Sequence, residues 1–355
     1  MSTNARVVVL PPGGQKLQIQ SVRIPDPGPW EVLVEQRATG VCHSQLDHIA
    51  AADPTRPLVL GHESAGVVIA AGDRVDHVEV GDEVLITWLP RSFTRPPQPV
   101  RIPVENDDWA VTRNVFTWAT HSLADEQYVV KVPKGLPGDL TSIIGCAVMT
   151  GAGAVVNCAE VEAGESVAVW GTGGIGLAAV AAARTIGASP VIAIDIDEAK
   201  LKLARQMGAD HVVNASTTDA VAQVRSLTRA PDSVEGVDYS VDCTGRADNL
   251  PKSLAAVRPG VPGRNLGGIS VLVGAIRTSF ELGGMELVNG QKRLAGCMGG
   301  NCLPDRDFGT FIDWYRTGRL DLAALVTDRY TLGRVNEAVE DLRGGRILGR
   351  AVIEL

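Results

Sequence analysis

Two groups of residues in this sequence have the types and spacing to do chemistry. The first is a glycine turn. An apolar, β-prone run, Val167-Ala168-Val169-Trp170, enters Gly171-Thr172-Gly173-Gly174-Ile175-Gly176, and small, helix-friendly residues leave it. Gly171, Gly173 and Gly176 fit G-x-G-x-x-G, and Asp195 closes the next apolar run, Val191-Ile192-Ala193-Ile194. The first glycine allows a tight turn and the second lets backbone amides approach a pyrophosphate. The third lets the helix sit close on the sheet, and the helix N-terminus attracts the phosphates. A carboxylate at the tip of the following strand can hold two ribose hydroxyls. In a chain with 39 glycines a lone match would be weak, but strand, turn, helix, strand and Asp together are specific for a dinucleotide.

The second group is metal-capable. Gly40-Val41-Cys42-His43-Ser44, Gly61-His62-Glu63 and Gly145-Cys146 all lie in turn-like surroundings before the glycine turn. Cys42, His62 and Cys146 offer two thiolates and one imidazole, a set that leaves zinc's fourth position open for water or substrate. Their spacings carry no information alone, because a single cysteine usually packs as a small apolar residue. A dinucleotide fold directly downstream is what gives the set meaning.

These residues need elements to position them. Up to about residue 150 the chain gives short extended segments at 6–10, 17–24, 31–39, 63–70, 82–87 and 127–132, divided by Pro and Gly. That pattern predicts a mostly antiparallel β domain. Residues 88–118 stand apart, with Pro90, Pro96, Pro97, Pro99 and Pro103 among Trp88, Phe93, Trp109, Phe116 and Trp118. They read as a long functional or contact loop. From residue 151, strand-like runs at 166–170, 190–195, 211–214, 237–243, 269–274 and 293–297 alternate with helices, which predicts a doubly wound parallel sheet. Asp197 is a natural N-cap for the helix after Asp195. The tail, with helices near 307–317 and 335–343 and a last strand at 349–355, is expected to return to the first domain. The expected division is 1–150 with 298–355, and 151–297.

The 355 residues suit two domains. With 33 basic against 41 acidic residues and a net charge of −8, neither nucleic acid nor an anionic membrane is an expected partner. The N-terminus leads into a strand rather than a signal segment, and six cysteines without a Cys-x-x-Cys pair suggest a reducing, cytoplasmic setting. Cys297 and Cys302, with four residues between them and no partner motif, read as packing residues or chance rather than a redox pair.

Across nearly its whole length the chain resembles the zinc-dependent alcohol dehydrogenases of the medium-chain dehydrogenase/reductase superfamily. The resemblance rests on Gly-Val-Cys-His-Ser at 40–44, Gly-His-Glu at 61–63, Gly-Asp-Glu-Val at 81–84, Cys146 with Thr150-Gly151, Gly171 to Gly176, and Asp195. It implies an α/β protein, with a Rossmann doubly wound parallel sheet domain and a mostly β GroES-like catalytic domain. It also implies reversible hydride transfer between an alcohol and NAD, giving an aldehyde or ketone, in a homodimer or homotetramer. By the same resemblance, Cys42, His62 and Cys146 hold one catalytic zinc, with Glu63 behind it as an alternative ligand. This ligand set belongs to the enzyme class and is not a deduction from spacing. Ser44 takes the alcohol proton, and His43 and Arg350 lie near the pyrophosphate. Thr150 and Ile175 flank the nicotinamide, with Gly171, Gly173, Gly174 and Gly176 in the turn. Asp195, supported by Lys200, holds the adenosine ribose and by its charge favours NAD over NADP. Trp88 walls the substrate pocket, with Trp118 and His121 as further candidates, and these aromatics suggest an apolar, bulky or aromatic alcohol.

The sequence departs from the family pattern in three places. Many relatives bind a second, structural zinc through four close cysteines, but residues 88–118 contain none, so no structural zinc is expected. The family commonly has Asp one residue after the proton-relay hydroxyl, where this chain has Gln45, a neutral partner that should weaken the imidazole as a donor. The outer relay histidine falls at Asp47, with His48 beside it, and either could complete the relay. Two other readings remain open at this level: a zinc-free NADPH quinone or enoyl reductase, and a non-catalytic NAD(H)-binding protein.

Overall fold

The computed structural model describes the chain except residues 1, 15, 106–107, 113 and 230–233. It divides into two compact units: Met1–Cys146 with Leu303–Ile312 and Val326–Leu355, and Ala147–Cys302 with Asp313–Leu325.

The first unit is built from β1 (Thr3–Leu10), β2 (Gln18–Ile24), β3 (Glu31–Val41), β4 (Leu58–Val59), β5 (Ser64–Ala71), β6 (Glu83–Ile86), β7 (Arg101–Val104), β8 (Asp108–Val111), β9 (His121–Asp125) and β10 (Val129–Lys131). Helices α1 (His43–Ala50) and α2 (Gly138–Thr141) interrupt them. One sheet runs β2-β1-β4-β8-β7. The other is organised on β3, whose 11 residues pair antiparallel with β5 and β9. Strand alternation puts Val32, Val34, Val68, Val84, Ile86 and Ala124 into one core, and Val7, Val9, Ile24, Leu33, Ile102, Phe116 and Leu123 into another. The expected antiparallel domain is therefore present, but the proline-rich stretch is more ordered than a loop. It contains β7 and β8, paired to each other antiparallel, while its residues 106–107 and 113 lie outside the described residues. Arg95 anchors the stretch: it donates to both oxygens of buried Asp125, at 2.7 and 2.9 Å, and lies 4.7 Å over the Trp30 ring. Burial raises the Asp125 carboxyl, but Arg95 and the amides of Gln98 and Gln127 more than offset this, holding its pKa below the usual value.

The second unit opens with α3 (Ala147–Gly153) and continues through β11 (Val167–Trp170), α4 (Gly174–Thr185), β12 (Val191–Asp195), α5 (Glu198–Gln206), β13 (His211–Asn214), α6 (Ala220–Leu227), β14 (Tyr239–Asp242), α7 (Leu250–Ala256), β15 (Ile269–Leu272), α8 (Gly284–Val288) and β16 (Arg293–Gly296). All pairings are parallel, in the order β13-β12-β11-β14-β15-β16. Counted from β11, this is the 3-2-1-4-5-6 Rossmann order, with its switch point between β11 and β14. The sheet buries near-continuous apolar runs because helices cover both faces.

The tail forms α9 (Pro304–Arg316), α10 (Leu322–Leu325), β17 (Val326–Thr331), α11 (Val335–Arg343) and β18 (Arg350–Glu354). β18 pairs antiparallel with β3, placing Ala351 opposite Val41, so the last strand lies beside the start of the Cys42 turn. Among the described residues no single helix is long and apolar enough to cross a membrane. One pair, Gly138–Gly145 with Ala147–Cys158, passes by length and composition but bends by 54°.

Candidate active site

Four segments of the first unit converge on the metal-capable residues. Cys42 follows β3 directly and, in extended conformation, N-caps α1. His62 and Glu63 precede β5, Cys146 ends a turn packed near β6, and Arg350 begins β18. Two features fix the turns. Thr87 Oγ1 donates to the Gly145 carbonyl at 2.7 Å, tying the end of β6 to the residue before Cys146. Gly40 leaves room for the Glu63 carboxyl, since a Cβ there would lie 2.4 Å from it.

The ligand atoms of Cys42, His62 and Cys146 all lie within 4.8 Å of one another, and all three residues are buried. The two sulfurs are 3.8 Å apart. His62 Nε2 and Glu63 Oε2 are buried without hydrogen-bond partners, a costly state for polar atoms unless something binds them. Two soft thiol donors and an imidazole with an orphaned nitrogen make a donor set suited to zinc. The hydrogen bond from the Cys146 thiol, with help from the Arg350 charge and against burial, draws the Cys42 pKa well down; the same bond and burial push Cys146 up. Burial also raises the Glu63 carboxyl, against the pull of Arg350. Arg350 is ion-paired to Glu63 and lies beside Cys42, while its Nε is buried without a hydrogen-bond partner.

The surrounding side chains are placed as follows. Ser44 Oγ donates to Cys42 Sγ at 3.4 Å. Gln45 is buried: its Oε1 accepts the Gly61 N–H at 2.7 Å and its Nε2 meets His62 Nδ1 at 2.6 Å. With its oxygen held by a backbone amide, Gln45 presents an NH₂ to Nδ1. With Nδ1 accepting, the imidazole's own proton belongs on Nε2, where a bound metal would displace it. His48 stacks edge-on to His62, with ring centroids 6.4 Å apart, and its Nδ1 lies 3.4 Å from Gln45 Nε2. His43, the first residue of α1, is exposed. Trp88 is half-buried just after Thr87, close to the Cys146 turn, and its carbonyl accepts from Asn114.

Two pocket candidates are elsewhere. Trp118 is fully buried in a core with Val8, Leu60 and Tyr330, its indole N–H on the Gly40 carbonyl at 3.1 Å. It supports the turn from behind and has no face left for a ligand. His121 pairs with Glu35, well down β3 from Cys42, and burial lowers its pKa. It was a further pocket candidate, and the register of β9 with β3 places it away from the cluster.

In the second unit the glycine turn has the expected geometry. Gly171 has φ of +80°, and a Cβ on Gly176 would lie 1.9 Å from the Gly171 carbonyl oxygen. Gly173 N-caps α4 with no side-chain cap, leaving its first amides for a ligand, and Gly174 and Ile175 open the helix. Asp195 is more occupied than a free ribose acceptor. It takes hydrogen bonds from Thr172 N and Oγ1, at 2.7 and 3.0 Å, and from the amides of Ile196 and Asp197. The role of Thr172 as the partner of Asp195 was missed in the sequence, although its place inside the turn was the available signal. Thr150 is buried in α3, and Lys200 is half-buried on α5.

Comparison with known proteins agrees with this geometry. Residues 28–134 match the alcohol dehydrogenase GroES-like domain and residues 174–317 the zinc-binding dehydrogenase domain. The chain is similar to an alcohol dehydrogenase class-3 of Cereibacter sphaeroides, 30% identical over 99% of this chain and 100% of that one. It is also similar to a geraniol dehydrogenase of Castellaniella defragrans, at 28% identity over 97% and 96% of the two chains. The crystal structure of benzyl alcohol dehydrogenase from Acinetobacter calcoaceticus superposes with a TM-score of 0.86 at 30% identity, covering 99% of each chain.

Proposed function

Because the chain belongs to the zinc-dependent alcohol dehydrogenases of the medium-chain dehydrogenase/reductase superfamily, we propose that Cys42, His62 and Cys146 hold its catalytic zinc and that it oxidises apolar, bulky or aromatic alcohols with NAD. The observation that carries this reading is the buried cluster of two thiols and an imidazole with its orphaned Nε2. Zinc bound there supplies a Lewis acid that acidifies an alcohol or, in reverse, polarises a carbonyl; NAD supplies the hydride acceptor.

The chain's own residues do the rest. Cys42, favoured as thiolate, and Cys146 present negative sulfur to a cation, and Arg350 balances that charge while pinning Glu63 in reserve behind the ligands. Ser44 takes up the alcohol proton at Oγ and releases it outward, with His48, close behind Gln45, as the next stop. The open amides of α4 receive the pyrophosphate, with His43 nearby, while Thr150 and Ile175 flank the nicotinamide. Asp195 accepts the ribose hydroxyls as the Thr172 hydroxyl turns aside, and its charge disfavours a 2′-phosphate; Lys200 supports it. Apart from His43 and Thr150, these roles assign residues 1–150 and 298–355 to zinc and substrate, and 151–297 to the cofactor. The substrate class rests on Trp88 beside the Cys146 turn and on the relatives named for geraniol and benzyl alcohol. Without cysteines in 88–118, one zinc per chain is the expected content, the Arg95–Asp125 pair doing the anchoring there. A homodimer or homotetramer in a reducing cytoplasm completes the reading; the unpaired edge of β16 and exposed Met285 and Val288 support association.

The test is metal analysis of purified protein with NADH formation on benzyl alcohol, geraniol and S-(hydroxymethyl)glutathione. One zinc per chain and fastest turnover on the first two are expected. Protein that turns over without bound zinc sinks the ligand assignment, and preference for the glutathione adduct sinks the substrate class.

A further inference from the structure

Outside the zinc cluster the second unit contains four more cysteines, all free. Cys302 is used structurally: its Sγ donates to the Met149 carbonyl at 3.2 Å, with Asn157 Nδ2 at 3.5 Å. Cys243 is held protonated by burial at the end of β14. Cys158 and Cys297 differ from both. Cys158 closes the π-helical turn Ala154–Cys158 that continues α3, and is half-exposed. Cys297 is the first residue after β16 and is buried. Cys158 Sγ donates to the Gly296 carbonyl at 3.8 Å, which brings it to the residue next to Cys297. The surrounding backbone is closely fitted. Asn157 Nδ2 donates to the Gly300 carbonyl at 3.3 Å, and a Cβ on Gly153 would lie 2.4 Å from that oxygen.

We propose that Cys158 and Cys297 form a reversible dithiol–disulfide site that reacts with hydroperoxides. The accessible sulfur is the one poised to attack. The hydrogen bond from Cys297 holds the Cys158 pKa down to about 7, against burial and the nearby Glu160, so a large share is thiolate at neutral pH. The same bond and burial push Cys297 up, leaving it a protonated thiol suited to the second step. In the first step Cys158 Sγ attacks a peroxide oxygen. The S–O bond forms as the O–O bond breaks, and one solvent proton completes a molecule of water (an alcohol, if the hydroperoxide is organic). In the second, Cys297 Sγ attacks the sulfenic sulfur, the S–S bond forms, and the departing hydroxide takes the Cys297 proton as water. The two sulfurs together lose two electrons and the peroxide gains them. The bridge joins the segment by which the chain enters this unit, from Ala147, to the one by which it leaves, ending at Cys302. A thiol of the reducing environment reopens it by exchange.

The experiment uses full-length, zinc-loaded protein treated with hydrogen peroxide, alkylated, digested and mapped by mass spectrometry, with zinc content followed in parallel. The expected result is loss of two alkylatable thiols before zinc is released. A cross-linked peptide pair should contain Cys158 and Cys297, and dithiothreitol should restore both thiols. In Cys297→Ser the reaction should stop at a sulfenic acid on Cys158, trapped by dimedone, with a rate rising through about pH 7. In Cys158→Ser no bridge should form. The proposal fails if Cys158 is unreactive or over-oxidised to sulfinic acid while Cys297 stays free. It also fails if the first bridge involves any other cysteine, or if Cys158→Ser bridges as readily as wild type.

Discussion

The glycine turn and the thiol–imidazole cluster are built in opposite ways. In the turn, one short contiguous stretch makes the site from its own backbone: amides at the start of α4, a positive φ at Gly171, and a close approach at Gly176. The cluster uses almost no local geometry. Its ligands come from the end of β3, the turn before β5 and the turn after α2, with Arg350 at the first residue of β18 beside them, and only tertiary packing brings the three ligand atoms within 4.8 Å of one another. A backbone site is protected by sterics, so a single methyl group can break it. A side-chain site is protected by charge and satisfaction of polar groups, so it fails when one partner is removed or the wrong proton is present.

The sharpest way to break this comparison is through the sulfur ligands. Cys42→Ala or Cys146→Ala should release zinc and lower kcat/KM by roughly 10³-fold or more, the several kcal/mol expected of a lost Lewis acid. NADH binding, followed by its fluorescence, should stay near wild type. Loss of both together would mean the two sites are not separable. The converse substitution, Gly176→Ala, drives a Cβ against the Gly171 carbonyl. It should cost about 2 kcal/mol of stability by thermal melting and weaken NAD binding at least tenfold, while zinc content stays at one per chain.

Asp195→Ala tests a residue that serves both the ligand and the turn. Because the carboxylate also accepts four bonds from Thr172, Ile196 and Asp197, the variant should lose NAD affinity by about tenfold, not merely relax its preference. The gap between NAD and NADP should narrow in the same titration; an unchanged gap would remove Asp195 from cofactor choice. The smallest effect is expected at Gln45. An Asp there can accept from both the Gly61 amide and a protonated His62 Nδ1, freeing Nε2 for metal. Gln45→Asp should therefore raise zinc affinity by about tenfold in competition with a chelator. Equal affinity would mean that the amide already turns over at no cost.

Acid offers a further contrast, located in neither site. The Asp125 carboxyl, held low by Arg95, stabilises the first unit above its unfolded pKa near 3.9, and that contribution is lost as pH falls through the lower folded value. Asp125→Asn should cost about 3 kcal/mol at neutral pH in a denaturant titration, with the difference from wild type shrinking as the solution is acidified.

The second unit was largely legible in the chain because a parallel sheet under two helical layers writes itself as apolar runs, and Asp197 caps α5 as its type predicts. The first unit was legible as a class only. β4, β7, β8 and β9 are short and border turns or proline, so period-two alternation had too few residues to register. The sequence could not show that Trp118 is fully buried or that His121 lies opposite Glu35, since both depend on how distant strands pair.

By itself, the sequence determined which atoms are available: three glycines that tolerate a tight turn, an acid at the next strand tip, and two thiols and an imidazole of the right donor type. Only the tertiary structure decided how they are used. It paired Arg350 with Glu63, turned the Gln45 amide so that its NH₂ faces His62, and brought Cys158 to the Gly296 carbonyl beside Cys297. The physical reason is range. Backbone conformation is fixed by neighbours a few residues away, whereas the charge balance and proton positions of a buried site depend on groups that meet only when distant segments pack.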